Sequence, residues 1–188
     1  MRARQSQRRS RLPRLWLVSD ARNDAVLERA LAALPRGSGL VFRHYHLAPA
    51  ERAARLRRLR PLCQVHGHAI ALAGKGRFSP GPGGAMTYGP PRLGPGPHLA
   101  AVHSLREIGA ANRSGAALVL LSPVFATRSH PGAPALGPVR FLLLARRAAA
   151  PVLALGGMDP RAARRLPGFG WAAIDGLSHK TRGNPLDS

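Results

Sequence analysis

Short aliphatic runs recur along the chain, and most are followed by a longer stretch in which apolar and charged residues mix at helical spacing. The apolar runs are 15–18 (LWLV), 39–42 (GLVF), 69–73 (AIALA), 85–88 (AMTY), 98–102 (HLAAV), 117–121 (ALVLL), 151–155 (PVLAL) and 171–174 (WAAI). The helical stretches are 24–34, 49–63, 104–115, 138–150 and 159–168. Strands that are apolar throughout, rather than alternately, are covered on both faces. Eight such strands in alternation with helices predict an α/β fold, a (β/α)8 TIM barrel; a doubly wound parallel sheet is the alternative. Ser104 and Glu107 have capping-box spacing, and Asp159-Pro160 places a cap before a proline at the first helical position. Residues 74–97 are too dense in Gly and Pro for two ordinary helices. The third, fourth and eighth helices are therefore predicted to be reduced or missing.

The strand at 117–121 runs into Ser122-Pro123 and a loop of Thr, Ser, His, Gly and Pro, and the strand at 151–155 runs into Gly156-Gly157. In a parallel barrel, loops at the C-terminal strand ends form the functional face, and the seventh and eighth units often hold phosphate. Thr127, Ser129, Gly156 and Gly157 are the phosphate-binding candidates, with the two glycines expected to let a ligand approach the backbone. A phosphorylated small molecule is the expected partner. The bland alternative is a tight strand-to-helix turn.

Length and composition then narrow the picture. The chain has 188 residues and a formal net charge of +21, with 27 Arg and 2 Lys. One domain is expected over 13–180, between a basic tail, 1–12, and a short tail, 181–188. The first stretch lacks the apolar segment of a secretory leader and reads as a disordered tail. The excess Arg attracts polyanions non-specifically, but aromatics are only 5% of residues, few for a stacking nucleic-acid surface. A basic nucleic-acid-associated barrel is kept as a further alternative. The single cysteine, Cys63, excludes an internal disulfide and reads as core. No apolar run reaches the ~20 residues that span a bilayer, so a cytoplasmic protein without membrane association is expected.

Arg43, at the end of the second strand, suits a phosphate bidentately, unless an ion pair with Asp20 or Asp175 occupies it. His130 is the titratable group of the phosphate-side loop. Arg43 and His130 are the catalytic candidates. Asp20, Tyr45, His103, Ser122 and Asp175 are the other candidates for the barrel mouth, with His103 also placed to satisfy a local backbone group. His44 and His46 flank Tyr45 at the mouth, whereas His66 and His68 precede the third strand at the opposite end. The two pairs are not expected to converge, and no metal site is predicted.

The segments RLWLVSD, VFRHYHLAPAE, VHSLREIGAANRSGAALVLLSPVFATRSHPGAPALG and PVLALGGM, in this order, resemble the thiamine phosphate synthase/TenI family over roughly residues 13–178. The resemblance implies a TIM barrel, commonly a homodimer. It implies an activity that joins or processes thiazole phosphate and hydroxymethylpyrimidine diphosphate in thiamine biosynthesis. In synthases of this family the pyrimidine–diphosphate C–O bond breaks, pyrophosphate leaves with help from Mg2+ and cationic groups, and the thiazole captures the cation. Matched position by position, the family's second-strand Arg falls on Arg43, its loop hydroxyls on Thr127 and Ser129, and its glycine on Gly157. Its other second-strand polar residues fall on Val41 and Tyr45, its fifth-strand Ser on Ala101, its loop Lys on His130 and its last phosphate-binding Ser on Asp175. Its acidic residues fall near Ala73-Gly74 and within 89–93, where this chain has no carboxylate. Mg2+ is thus implied by the resemblance but lacks its ligands, and no other cofactor is evident. A catalytically degenerate barrel that binds a phosphorylated ligand or a protein partner is the corresponding alternative.

Overall fold

The computed structural model describes residues 12–74, 86–127, 132 and 134–177. Eight parallel strands close into a barrel in chain order: β1 (Leu15–Val18), β2 (Gly39–Phe42), β3 (Ala69–Ala73), β4 (Met86–Gly89), β5 (His98–Val102), β6 (Leu118–Leu121), β7 (Val152–Ala154) and β8 (Gly170–Ala173). The closing pair is β1 with β8, in register Trp16 to Ala172. A 3-10 helix (Ala21–Val26) leads into α1 (Leu27–Ala33). The other helices are α2 (Pro49–His66), α3 (Leu105–Arg113), α4 (Gly137–Ala145) and α5 (Pro160–Ala163). This is the (β/α)8 barrel, and the doubly wound sheet is excluded by closure. No described helix is long and apolar enough to cross a membrane.

Inward positions follow the two-residue period of a strand. Trp16, Val18, Val41, Ala71, Met86, Leu99, Leu118, Leu120, Leu153 and Ala172 fill the barrel. Trp16 is fully buried and its indole N–H donates to Pro13 O at 2.8 Å, so the largest side chain has its one polar atom satisfied. The alternate positions face helices in two separate outer cores. Leu17, Leu40 and Phe42 pack with α1 and α2 through Leu27, Leu31, Leu56, Leu59 and Cys63. Ala100, Val119, Leu121 and Ala154 pack with α3 and α4 through Ile108, Ala111 and Phe141.

The gap between the outer cores lies where helices were predicted to fail. Residues 90–97, between β4 and β5, contain no helix. His98 takes over the covering role. Its Nε2–H donates to Pro90 O at 3.0 Å, and its Nδ1 accepts from the Thr87 hydroxyl at 2.8 Å. The third helix would fall in 75–85 and the eighth after 177, outside the described residues. The stretch 24–34 is not one helix. Asp20 accepts from Arg22 N–H, and Asn23 Oδ1 accepts from Asp20 N–H at 2.9 Å, which starts a 3-10 turn at Ala21 ahead of α1. The stretch 159–168 likewise keeps only α5 as helix, since Pro167 and Gly168 end the pattern. The Ser104 cap forms, but Glu107 reaches one residue farther than a capping box, to His103 N–H.

Candidate functional site at the barrel mouth

The inward parity of each strand continues past its last residue, and this builds the mouth. Val41 is followed by Arg43, Met86 by Tyr88, Ala101 by His103, Leu120 by Ser122, and Leu153 by Leu155. These side chains border one cavity of about 640 Å3 at the C-terminal ends of the strands, together with Tyr45, Thr127, Gly156, Gly157 and Asp175. Tyr88, Leu155, Met158 and Asp159 also line it and were missed by the sequence reading. The signal for Tyr88 was its two-residue offset from Met86. Ser129 and His130 lie outside the described residues.

The glycines let the loops after β6 and β7 meet. Val124 N–H donates to Leu155 O at 2.9 Å and Phe125 N–H to Gly156 O at 3.0 Å, so the loops after β6 and β7 continue the ladder between their strands. A Cβ on Gly156 would sit 2.8 Å from Pro123 Cα, and one on Gly157 2.4 Å from Ala126 O. Both have positive φ, 93° and 61°. The missing side chains therefore make room for the neighbouring loop. Among the described residues, no backbone carbonyl accepts from the N–H groups of Gly156 or Gly157.

Charge in the mouth is arranged unevenly. Arg43 has one oxygen of Asp20 3.6 Å from its NH2 group, and its guanidinium lies over the Tyr45 ring. Its buried Nε has no hydrogen-bond partner. Asp20 does not line the cavity, because the chain turns at Ala21 and its carboxylate caps that turn and pairs with Arg22 at 3.0 Å. Burial is the largest influence on Asp20 and raises its pKa, but hydrogen bonds and charge from Arg22 and Arg43 outweigh it and lower the net value. Asp175 is held by Arg22 at 3.1 Å, which offsets its repulsion of an anion. His103 Nδ1–H donates to Ser122 O at 2.9 Å, which leaves Nε2 as the basic nitrogen of the neutral ring. Burial raises the Tyr88 phenol and keeps it protonated. Cys63 lies in the outer core, its thiol pushed up to about 11 by burial.

Comparison with known proteins bears on the half of the barrel that carries these loops. Residues 99–177, β5 through β8, match the family described as thiamine monophosphate synthase. Over these residues the chain is similar to the thiamine phosphate synthase/TenI family. Among solved structures, thiamine phosphate pyrophosphorylase from Pyrococcus furiosus superposes with a TM-score of 0.65, over 88% of this chain and 86% of that one. At 20% identity this likeness speaks for the fold. No curated protein sequence matches the chain.

The Mg2+ implied by the family wants carboxylate oxygens. Residues 89–93 supply none. Asp159 accepts from Ala162 N–H at 2.7 Å as the cap of α5, and Asp20 and Asp175 are committed to arginines. The described residues do not fit that Mg2+ site.

Proposed function

We propose that the barrel mouth binds a phosphorylated precursor of thiamine, of the thiazole phosphate or pyrimidine phosphate type, and processes it as thiamine phosphate synthase/TenI-like proteins do. The observation that carries this reading is the guanidinium of Arg43, with a buried Nε left unpartnered, on the same cavity as Thr127 and the open N–H groups of Gly156 and Gly157. A phosphate accepts several such donors at once, and a guanidinium offers two in parallel. His103 borders this cavity with Nδ1 turned to Ser122 O, which leaves Nε2 free to face a ligand.

One observation favours a second reading, binding without coupling: the carboxylates that would hold Mg2+ against a leaving diphosphate are absent from 89–93. Incubation with thiazole phosphate, hydroxymethylpyrimidine diphosphate and Mg2+, followed by chromatography for thiamine phosphate, separates the two. Product establishes the synthase. Thermal stabilisation by thiazole phosphate without product establishes the binding barrel. The absence of both product and stabilisation refutes the proposal.

A further inference from the structure

Beside the cavity, on the outer rim between β1 and β2, three potential ligands converge. Asp24, His44 and His46 each offer an atom, and these atoms all lie within 4.8 Å of one another. His44 Nε2 is 2.8 Å from Asp24 Oδ1, and His46 Nε2 is 3.9 Å from Asp24 Oδ2. We propose that Asp24, His44 and His46 bind one divalent transition-metal ion of the Zn2+ or Co2+ class.

The surroundings hold each ligand in place. His44 is fully buried, and its φ of 35° turns the ring off the strand direction. Its Nδ1 lies 2.7 Å from Ser19 Oγ, so Nε2 is the nitrogen aimed at Asp24. With a metal on Nε2, the ring proton sits on Nδ1, and Ser19 Oγ, which already accepts from Arg43 N–H at 2.8 Å, accepts it with its second lone pair. Arg55 donates to Asp24 Oδ1 at 2.7 Å and leaves Oδ2 turned towards His46. Glu28 pairs with the same guanidinium, so the arginine brings little uncompensated positive charge. Tetrahedral ligand atoms at Zn–N distances of about 2.0–2.1 Å stand about 3.3 Å apart, so closure needs only a small movement of the exposed His46. Two imidazoles and one carboxylate select Zn2+ or Co2+ over Mg2+, so this site differs in chemistry from the family's Mg2+ site. An ion here would tie the turn after β1 to the loop after β2, and through Ser19 would fix the backbone of Arg43.

The test uses the full chain stripped with a chelator, then titrated with Zn2+ against a chromophoric chelator and with Co2+ by visible absorption. One equivalent is expected, with Co2+ showing the strong ligand-field bands of a low-coordinate ion and excess Mg2+ failing to displace it. His46→Ala, on an exposed side chain, should fold normally by circular dichroism and weaken Zn2+ binding by at least about tenfold. Asp24→Asn should give the same loss, whereas His66→Ala, on the far end of the barrel, should change nothing. Absence of stoichiometric binding, or wild-type affinity in His46→Ala, overturns the proposal.

Discussion

Arg43 and Asp20 stand beyond the ends of neighbouring strands, and their separation of 3.6 Å is longer than a hydrogen bond. Asp20 is already engaged by Arg22, so the Arg43 guanidinium is attracted but not saturated. An incoming phosphate can therefore take it without first breaking a bidentate pair. A hydrogen bond to a charged group contributes about 1.5–3 kcal/mol. Arg43→Ala should thus weaken thiazole phosphate binding by roughly 10- to 100-fold in calorimetric titration, with little change in unfolding temperature. Arg43→Lys should recover only part of the loss, because an ammonium cannot present two parallel donors. Equal affinity in all three proteins would remove Arg43 from the site.

Among the elements, the paired loops after β6 and β7 are the most constrained. Gly157→Ala places a Cβ against Ala126 O at a φ of 61°, and the backbone has nowhere to yield without breaking the Phe125 to Gly156 hydrogen bond. A non-glycine residue in the left-handed region costs about 1–2 kcal/mol before any clash. At about 2–4 °C per kcal/mol for a chain of this size, calorimetry should show a fall of at least ~2–4 °C. A Gly115→Ala control, at positive φ with nothing within 4 Å, should lose less. The strands were legible in the sequence to within about one residue because burial on both faces writes continuous apolar runs. The mouth was legible where a residue continues its strand's inward parity, as Arg43 and Ser122 do. Asp20 defeated that rule because a local cap turned the chain first. The Asp24 and His44 pairing was not legible at all, since residues 20 positions apart meet only through the register that sets Val18 beside Val41. Glycine, finally, signals a close approach without saying to what, so Gly156 and Gly157 read equally well as a ligand cradle or as room for a loop.

For the whole molecule, three buried histidines in three regions share one electrostatic habit. His44, His68 and His98 are at most 7% exposed, and burial, the largest cause in each, lowers their pKa below 6.5. Partners that favour the charged form, Asp24 for His44 and backbone carbonyls for the others, only partly offset it. In the native state each ring stays neutral where the unfolded chain would already be protonated. Their stabilisation is therefore complete above the unfolded value of 6.5 and is lost as pH falls towards their lower folded values. The carboxylates Asp20, Asp24 and Glu28 have lowered values, so they add a second loss below the ordinary carboxylate range of 3.8 to 4.5. Both effects have the same sign, and a chain of net charge +21 gains further positive charge as it acidifies. Urea unfolding should show a plateau above about pH 7 and then a decline approaching ~1.4 kcal/mol per pH unit for each histidine that titrates. Replacing His98 with Gln keeps a donor for Pro90 O but removes one proton from the linkage, so the slope below about pH 6.5 should flatten even though the starting stability is lower. An unchanged slope in that variant, or a flat profile in the wild type, would mean that these rings open to solvent before they protonate.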